Sequence, residues 1–144
     1  MPTPGKILCV GRNYREHAKE LGNEVPTTPV IFLKPPSSVI ASGEAIALPA
    51  GIGRIDYEGE IGLVIGQRLT KASPAACAAA VRGVVAVNDV SARDLQKSDP
   101  QWWRAKGYDT FCPIGDERQG TPDLAALEVI TRVNGEERQR GRSA

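Results

Sequence analysis

Three acidic residues fall within five positions of the stretch DYEGEIG, which spans residues 56 to 62. The apolar residues that follow predict a β-strand over Glu58–Ile65. Side chains two positions apart on a strand point to the same face, so Glu58 and Glu60 lie side by side there. Two carboxylates at that spacing repel each other unless a cation lies between them. Gly62 comes next on this face and, having no side chain, leaves volume open beside the pair.

A third carboxylate, Asp89, ends the apolar strand predicted over Val84–Asp89. Three carboxylates without imidazole or thiolate partners suit a hard cation such as Mg²⁺ or Mn²⁺. The sequence has a single histidine, and its three cysteines lack zinc-ligand spacing, which excludes an imidazole-rich zinc or copper site. Each carboxylate also has a simpler interpretation: Glu58 and Glu60 on the solvated face of an edge strand, and Asp89 in a turn or a helix cap.

A histidine and a glutamate can together supply a base that activates water. The segment NYREHAKELG predicts a short helix over 13–22, with Asn13 as its N-cap and Gly22 after its last turn. His17 and Glu20 share one face of this helix, where the glutamate can accept a hydrogen bond from one ring nitrogen while the other takes a proton. Two turns with few apolar side chains make a marginal helix, which can dock on a site or lift from it. The alternative is an exposed histidine beside a solvated glutamate.

The elements that must position these residues are mostly short strands. No internal repeat, low-complexity tract or linker occurs, so we expect one domain over residues 1–144. The pair Asn134-Gly135 predicts a hairpin turn after a strand at Leu127–Val133. Because the chain ends one hairpin arm later, we expect a truncated domain. The other predicted elements are strands over Lys6–Val10, Pro29–Lys34 and Ala45–Pro49, a helix from Ser73 to Gly83, and a short helix that begins at Ser91.

Composition excludes several classes of protein. Lys and Arg number 18 against 17 Asp and Glu, a net charge of +1, so no general field attracts nucleic acid or an anionic membrane. Aromatic residues are 5%, too few for a platform that stacks single-stranded nucleic acid. No stretch approaches the ~20 apolar residues that span a bilayer, and the amino terminus lacks the pattern of a signal peptide. We therefore expect a cytoplasmic protein with reduced cysteines and no nucleic-acid or membrane partner.

Four separated motifs together resemble the fumarylacetoacetate hydrolase family. They read VGRNYREHAKE with PVIFLKP, DYEGEIGLVIG, VNDVSARDLQ and AKGYDTFCPIG, and their order and spacing match that family. The amino-terminal motif is similar to the acylpyruvase branch, and the resemblance runs from about Lys6 to Arg142. It implies an α+β fold, a mixed β-roll or sandwich of the family's C-terminal-domain type, with short helices and a lid helix over 13–22. It also implies further strands beyond Ala144, so we expect this fold to be incomplete at its C-terminus.

In this resemblance, Glu58, Glu60 and Asp89 match the three carboxylates that bind Mg²⁺ or Mn²⁺. A 2,4-dioxo acid chelates such an ion through its carboxylate and its 2-oxo oxygen, and the ion then stabilises the enolate of pyruvate as a leaving group. The resemblance thus implies a small oxo acid as substrate, and it implies a homodimer as the assembly.

Five further residues match functional positions of the family. Arg93 and Gln96 match residues of the substrate pocket, and Lys106 matches a catalytic lysine that contacts the substrate and helps to hold its developing negative charge. Arg93 and Lys106 can both offer fixed positive charge to the substrate oxygens, although each taken alone is more often a surface residue. His17 and Glu20 match a catalytic dyad on the lid helix, which activates water in hydrolytic members.

Three functions remain open, and we expect the first. It is metal-dependent hydrolysis of the C–C bond of an acylpyruvate to pyruvate and a carboxylic acid, which needs the water-activating dyad. The second is decarboxylation or isomerisation of a 2-oxo or 2-hydroxy-dienoic dioate in aromatic catabolism, which uses the same metal-stabilised enolate. The third is an inactive, truncated paralogue that pairs with an intact family member, since open sheet edges favour pairing with another chain.

Overall fold

The structure, a computed structural model, describes residues 4–13, 27–120 and 123–143. Short strands dominate these ranges, because β-branched residues favour strands and frequent Gly and Pro interrupt them. The strands are β1 (Ile7–Gly11), β2 (Val30–Lys34), β3 (Val39–Ala41), β4 (Ile55–Asp56), β5 (Gly59–Ile65), β6 (Val81–Asn88), β7 (Ser91–Ala92), β8 (Cys112–Ile114), β9 (Arg118–Gln119), β10 (Glu128–Val133) and β11 (Glu136–Arg142). The α-helices within the described ranges are α1 (Pro74–Ala79), α2 (Arg93–Ser98) and α3 (Trp103–Lys106), and 3₁₀ helices cover Pro36–Ser38 and Leu124–Ala126.

The largest described sheet is mixed. Its strand order is β3-β8-β6-β5, with β9 beside β6. β3 and β8 run parallel, whereas β6 is antiparallel to β5, β8 and β9. Two-stranded antiparallel sheets form from β1 with β2, β4 with β7 and β10 with β11. The expected α+β fold of mixed sheets with a few short helices is confirmed.

The register of β5 against β6 determines which acidic residues meet. Gly59 lies opposite Asn88, and the pairing continues one step further because the Asp89 N–H donates to the Glu58 carbonyl at 2.8 Å. Directly opposed residues of an antiparallel pair project their side chains to the same face. Glu58 and Asp89 are therefore neighbours across the two strands, although 31 positions separate them in the chain.

The β1–β2 ribbon places Lys34 beside the central sheet. Lys34 lies opposite Ile7, and Ile7 packs against the core cluster of Val85, Cys112 and Ile114. Because side chains alternate along a strand, the last residue of β2 points to the same side as Phe32. The chain then turns at once into the 3₁₀ helix, since proline ends the strand's hydrogen bonding.

A second small core supports the helices. Val90, Ala92 and Phe111 are buried together, and Ile55 and Leu95 pack against them. The short β4–β7 pair aligns Asp56 with Ser91 and leads straight into α2. α3 contacts α2, β2 and β7, which brings its last residue, Lys106, inward.

Most strand predictions are confirmed within a residue or two. β2, β5 and β6 occupy the predicted segments, with β6 beginning three positions earlier than expected. The Asn134-Gly135 turn forms with φ of 52° and 83°, as a primed hairpin turn requires. Ser73 caps α1 by accepting from the Ala76 N–H. Among the described residues no helix is long and apolar enough to cross a membrane.

Two predictions about local structure are wrong. Residues 45–49 form no strand, and the Ala47 N–H instead donates to the Thr110 hydroxyl. The predicted helix does not reach Gly83: it ends at Ala79, because Val81 begins β6 and is buried there. Gly83 lies within that strand, where a side chain would collide with the Arg118 carbonyl.

The helix predicted to begin at Ser91 begins two residues later. Ser91 donates its hydroxyl to the Asp89 carbonyl, and Arg93 is the first residue of α2. A capping box therefore does not form, since the serine side chain is used elsewhere. The predicted lid helix over 13–22 lies almost wholly outside the described residues, which include only its proposed N-cap, Asn13.

Candidate functional site

Charged side chains of both signs meet at the end of the β5–β6 pair, largely shielded from solvent. Three of them are cationic and two are carboxylates, and each contacts at least one other. We call this group the buried charge cluster. Its members are Lys34, Glu58, Asp89, Arg93 and Lys106.

Asp89 is the centre of the cluster and is only 6% exposed. Its Oδ1 accepts a hydrogen bond from Lys34 Nζ at 2.7 Å, and its Oδ2 accepts one from Lys106 Nζ at 2.6 Å. A buried carboxylate without partners would lose several kcal/mol of solvation, so two ammonium groups offset a large cost. The structure thus places Asp89 in the interior between two cations and not in an exposed turn.

Lys106 joins the two carboxylates. It is 2% exposed, and its Nζ donates to Glu58 Oε2 at 2.8 Å as well as to Asp89. Its ammonium also lies over the ring of Phe32, 5.0 Å from the centroid, where the π face favours a cation. Trp102 packs edge-on against that ring at 5.5 Å. The lysine predicted to act on substrate is therefore held in an acidic, water-poor setting.

Lys34 belongs to the cluster but was not among the residues singled out from the sequence. It is 1% exposed and donates to Asp89, to the Val90 carbonyl at 3.3 Å and to the Lys106 carbonyl. All three ammonium protons therefore have protein acceptors. One signal in the sequence could have identified it. In PVIFLKP the lysine is two positions after Phe32, so it lies on the same face of a strand that is otherwise made of apolar residues.

Arg93 connects the cluster to α2. Its Nη2 pairs with Glu58 Oε1, its Nη1 donates to Gln96 Oε1 at 2.6 Å, and its Nε donates to Asp56 Oδ2 at 2.7 Å. Arg93 and Gln96 are three positions apart, hence neighbours on one helix face. The structure thus brings both residues of the predicted substrate pocket to the edge of the cluster.

Glu60 lies on the same face of the strand pair as Glu58. It is half-buried opposite Val87, one side-chain step from Glu58. Within the described parts of the chain, no group of three or more Asp, Glu, Cys or His side chains is arranged to hold a metal ion. The structure therefore brings Glu58 and Asp89 together without Glu60, and the metal-ligand role of the three carboxylates stays a prediction.

Gly62 does not leave open volume, contrary to the expectation from its missing side chain. A Cβ at this position would come within 2.6 Å of a Val85 methyl and 2.7 Å of a Val87 methyl. The space beside Glu60 is thus filled by the valines of β6, because glycine allows the two strands' side chains to pack closely.

The chemistry of the carboxylates fits a hard cation. Glu58 Oε2 and Asp89 Oδ2 both accept from the one nitrogen of Lys106, so these oxygens already face a single positive point. Carboxylate oxygens are the ligands that Mg²⁺ and Mn²⁺ prefer. Glu60 would have to reorient to complete the set.

Two predicted catalytic residues lie outside the described residues. These are His17 and Glu20, which fall between positions 14 and 26. Their assignment as a water-activating dyad therefore stays a prediction.

Hydrogen bonds perturb one ionisable group at the edge of the cluster. Burial raises the pKa of the Asp56 carboxyl, but hydrogen bonds from Arg54 and Arg93 outweigh this effect and hold its pKa below the usual range.

The two cysteines that flank the cluster have raised pKa values. Burial, with the charge of Asp89, raises the pKa of the Cys9 thiol to about 12, and burial raises that of Cys112 to about 11. Both thiols are therefore neutral, weak nucleophiles at physiological pH.

Fold and cluster together define the class of protein: a mixed-sheet domain with a buried, densely charged polar site of the kind that enzymes use to stabilise developing charge. The model of the fumarylacetoacetate (FAA) hydrolase C-terminal family matches residues 6–144. The chain belongs to the fumarylacetoacetate hydrolase family, as the four sequence motifs predict.

Several relatives are named for isomerisation. The chain is 40% identical over 148 residues to oxaloacetate tautomerase YisK of Bacillus subtilis, covering 98% of this chain and 49% of that protein. It is 43% identical over 142 residues to the mitochondrial oxaloacetate tautomerase FAHD1 of Arabidopsis thaliana, covering 94% and 64%. The crystal structure of 5-carboxymethyl-2-hydroxymuconate delta-isomerase from Mycobacterium smegmatis superposes with a TM-score of 0.86 at 44% identity, covering 98% of this chain and 56% of that one. The chain thus spans between about half and two thirds of the length of these relatives.

Proposed function

We propose that this chain carries the site of a metal-dependent keto–enol isomerase that acts on a 2-oxo dicarboxylic acid such as oxaloacetate. The observation that carries the proposal is the buried ammonium of Lys106 between Glu58 and Asp89. The names of the relatives, which include tautomerases and an isomerase, support the same reaction class.

The carboxylates would hold the metal ion. Glu58 and Asp89, with Glu60 from the same strand face, are the ligands that we assign to Mg²⁺ or Mn²⁺. When bound, the ion would polarise the 2-oxo group of the substrate and so acidify the neighbouring C–H. Arg93 orients Glu58 in this proposal through its Nη2 contact. The predicted contacts of Arg93 and Gln96 with substrate remain predictions.

Lys106 performs the proton transfer in this proposal. The ammonium gives one proton to the 2-oxo oxygen, and the resulting amine takes the proton released from C3. The electron pair of the broken C–H bond becomes the C2=C3 double bond of the enol. Atoms and charge balance, no water is consumed, and the lysine ends as it began. A fixed cation at the oxygen where negative charge develops is worth about 100- to 1,000-fold in rate.

Hydrolysis of an acylpyruvate is the second candidate, and the spacing of His17 and Glu20 favours it. This reaction consumes one water, which must be deprotonated to attack the acyl carbonyl. The bond between that carbon and the methylene then breaks, giving a carboxylic acid and pyruvate. A metal ion held by the same carboxylates, together with the ammonium of Lys106, would stabilise the enolate that leaves.

The test compares the purified chain with two lysine variants. Enol-to-keto conversion of oxaloacetate is followed by ultraviolet absorbance with Mg²⁺ or Mn²⁺ present. We expect Lys106→Met to lower the rate by about 100- to 1,000-fold, whereas Lys97→Met, which removes an exposed lysine of α2, leaves it unchanged. Equal rates for Lys106→Met and the unmodified chain would overturn the proposal.

A further set of measurements separates the other functions. Release of pyruvate from an acylpyruvate, lost in His17→Ala while tautomerisation persists, would show that both reactions share the site. No activity and no bound metal, together with mixed dimers on co-expression with an intact family member, would indicate the inactive pairing partner. Self-association measured by light scattering tests the homodimer that we propose for the active form.

A further inference from the structure

Asp56, the first acidic residue of DYEGE, is not one of the predicted metal ligands, but both of its carboxylate oxygens accept hydrogen bonds. Its Oδ2 accepts from Arg93 Nε at 2.7 Å, and its Oδ1 accepts from Arg54 Nε at 2.7 Å. Arg54 Nη2 adds a third hydrogen bond at 3.0 Å. The two arginines differ sharply in setting, because the side chain of Arg54 is 74% exposed and that of Arg93 is 19% exposed.

The backbone holds Asp56 and Arg93 in a fixed relation. Asp56 pairs with Ser91 in the β4–β7 ladder, and the Arg93 N–H donates to the Arg54 carbonyl at 2.8 Å. Ser91 and Ala92, the residues just before Arg93, are completely buried. Both partners of the Asp56–Arg93 ion pair therefore extend from hydrogen-bonded backbone beside buried residues, whereas the side chain of Arg54 is exposed.

Every nitrogen type of the Arg93 guanidinium has its own acceptor. Nη2 meets Glu58, Nη1 meets Gln96 and Nε meets Asp56. A planar guanidinium is fixed in direction when its Nε edge and its outer edge are both held. Glu58 lies between Arg93 and Lys106 and contacts both, so the direction of the Arg93 guanidinium helps to set the position of the Glu58 carboxylate.

We propose that Asp56 is a positioning residue, which holds Arg93 in the orientation that directs its Nη2 at Glu58. This inference rests on the proposed function, since Glu58 is assigned there as a metal ligand. Its consequence is that Asp56 acts on catalysis through Arg93 and not through substrate. Groups that orient a metal-binding residue typically contribute about 10- to 100-fold to activity or metal affinity.

A double-mutant cycle tests this directly. The four proteins are the unmodified chain, Asp56→Asn, Arg93→Gln and the double variant, each assayed for kcat/KM on oxaloacetate. We expect Asp56→Asn to lower kcat/KM by about tenfold. The double variant should match Arg93→Gln within about twofold, because a residue that acts only through Arg93 has no effect once Arg93 is gone. A double variant about tenfold below Arg93→Gln would overturn the inference.

Arg54→Gln is the matched control. It removes the exposed arginine from the same carboxylate and leaves the Asp56–Arg93 pair in place. We expect kcat/KM within about twofold of the unmodified chain. An effect as large as that of Asp56→Asn would show that the whole cluster of arginines, and not the Arg93 contact, matters.

A second readout does not depend on activity. The Nε–H of Arg93 gives a side-chain ¹H–¹⁵N NMR signal, assigned by its loss in Arg93→Gln. We expect this signal to shift in Asp56→Asn and to stay in place in Arg54→Gln. If Asp56→Asn does not fold, Asp56→Glu keeps the charge on a longer arm and should shift the signal as well. An unchanged signal overturns the inference even if the chain is inactive, whereas a shifted signal in an inactive chain supports it and overturns the proposed function alone.

Discussion

Two regions of the molecule are dense in ion pairs, and they differ in burial. In the buried charge cluster, the side chains of Lys34 and Lys106 are 0% and 3% exposed. In the β10–β11 hairpin, Arg140 pairs with Glu128 and Glu137, and these side chains are 32% to 41% exposed. Both regions pair cationic side chains with carboxylates, yet the first region lies inside the fold and the second lies at the solvent-exposed surface.

The difference in burial indicates what each set of ion pairs contributes to stability and to function. Exposed pairs gain little, because water screens them and long side chains lose freedom when they pair. Buried charges must satisfy one another completely, and within the described residues no buried side-chain nitrogen or oxygen lacks a hydrogen-bond partner. Replacing a buried ion pair by well-packed apolar residues is often neutral or stabilising, so the buried charges of Lys34, Asp89 and Lys106 point to a chemical role.

The largest effect should come from breaking the buried cluster at Lys34. Lys34→Met leaves Asp89 with one ammonium and removes the hydrogen bonds that Lys34 donates to the Val90 and Lys106 carbonyls. Removing one partner of a buried ion pair costs about 3–5 kcal/mol. The free energy of unfolding, measured with chemical denaturant, should fall by that amount, while Lys71→Met at an exposed position should leave it unchanged. A loss below about 1 kcal/mol would show that the Lys34–Asp89 pair contributes no more to stability than an exposed ion pair, contrary to this expectation.

The rates at which the cysteines react should also differ between the interior beside the cluster and the surface. Cys9 and Cys112 lie beside the cluster with raised pKa values of about 12 and 11, whereas Cys77 on α1 is exposed. At pH 8 iodoacetamide should label Cys77 at least about a hundredfold faster than the other two, because the thiolate is the nucleophile. Mass spectrometry of the labelled peptides measures this. Comparable rates would show that the interior around the cluster is open to solvent.

The same raised pKa values predict a loss of stability in alkali. Both thiols bind their protons more tightly when folded, so their contribution is complete below the unfolded pKa of 9.0 and declines as the pH rises toward about 11. The melting temperature of Cys112→Ala should therefore depend less on pH above 9 than that of the unmodified chain. Parallel curves would contradict the assignment.

The smallest effect should come from the hairpin. Arg140→Gln removes the contacts to Glu128 and Glu137 at an exposed position. Because the register of β10 and β11 is set by the Asn134-Gly135 turn and the strand ladder, we expect the melting temperature to stay within experimental error. A clear decrease would remove the contrast between the two regions.

Local signals explain how much of the fold could be predicted. β2 begins with the apolar run VIFL and β5 ends with the apolar run IGLVI, each bounded by Pro or Gly, and the hairpin turn has a dedicated dipeptide. The end of α1 could not be predicted, because an alanine-rich segment favours helix and only burial in the sheet moves Val81 into β6.

The candidate site was only partly predictable for the same reason. Strand periodicity places Glu58 and Glu60 on one face, but only the β5–β6 register brings Asp89 opposite Glu58. Lys34 was missed because a lysine at a strand end usually lies in solvent, and the contact that buries it comes from Asp89, 55 positions away. The part of the site that depends on contacts between distant segments of the chain can therefore be identified only from the three-dimensional structure.

The most direct test of the central claim is the position of a bound metal ion. A crystal grown with Mn²⁺ and measured at the manganese absorption edge locates the ion by its anomalous signal. We expect one strong peak within coordination distance of Glu58, Glu60 and Asp89, with Lys106 adjacent. A crystal with no such peak, or with the peak at another set of side chains, would contradict the central claim.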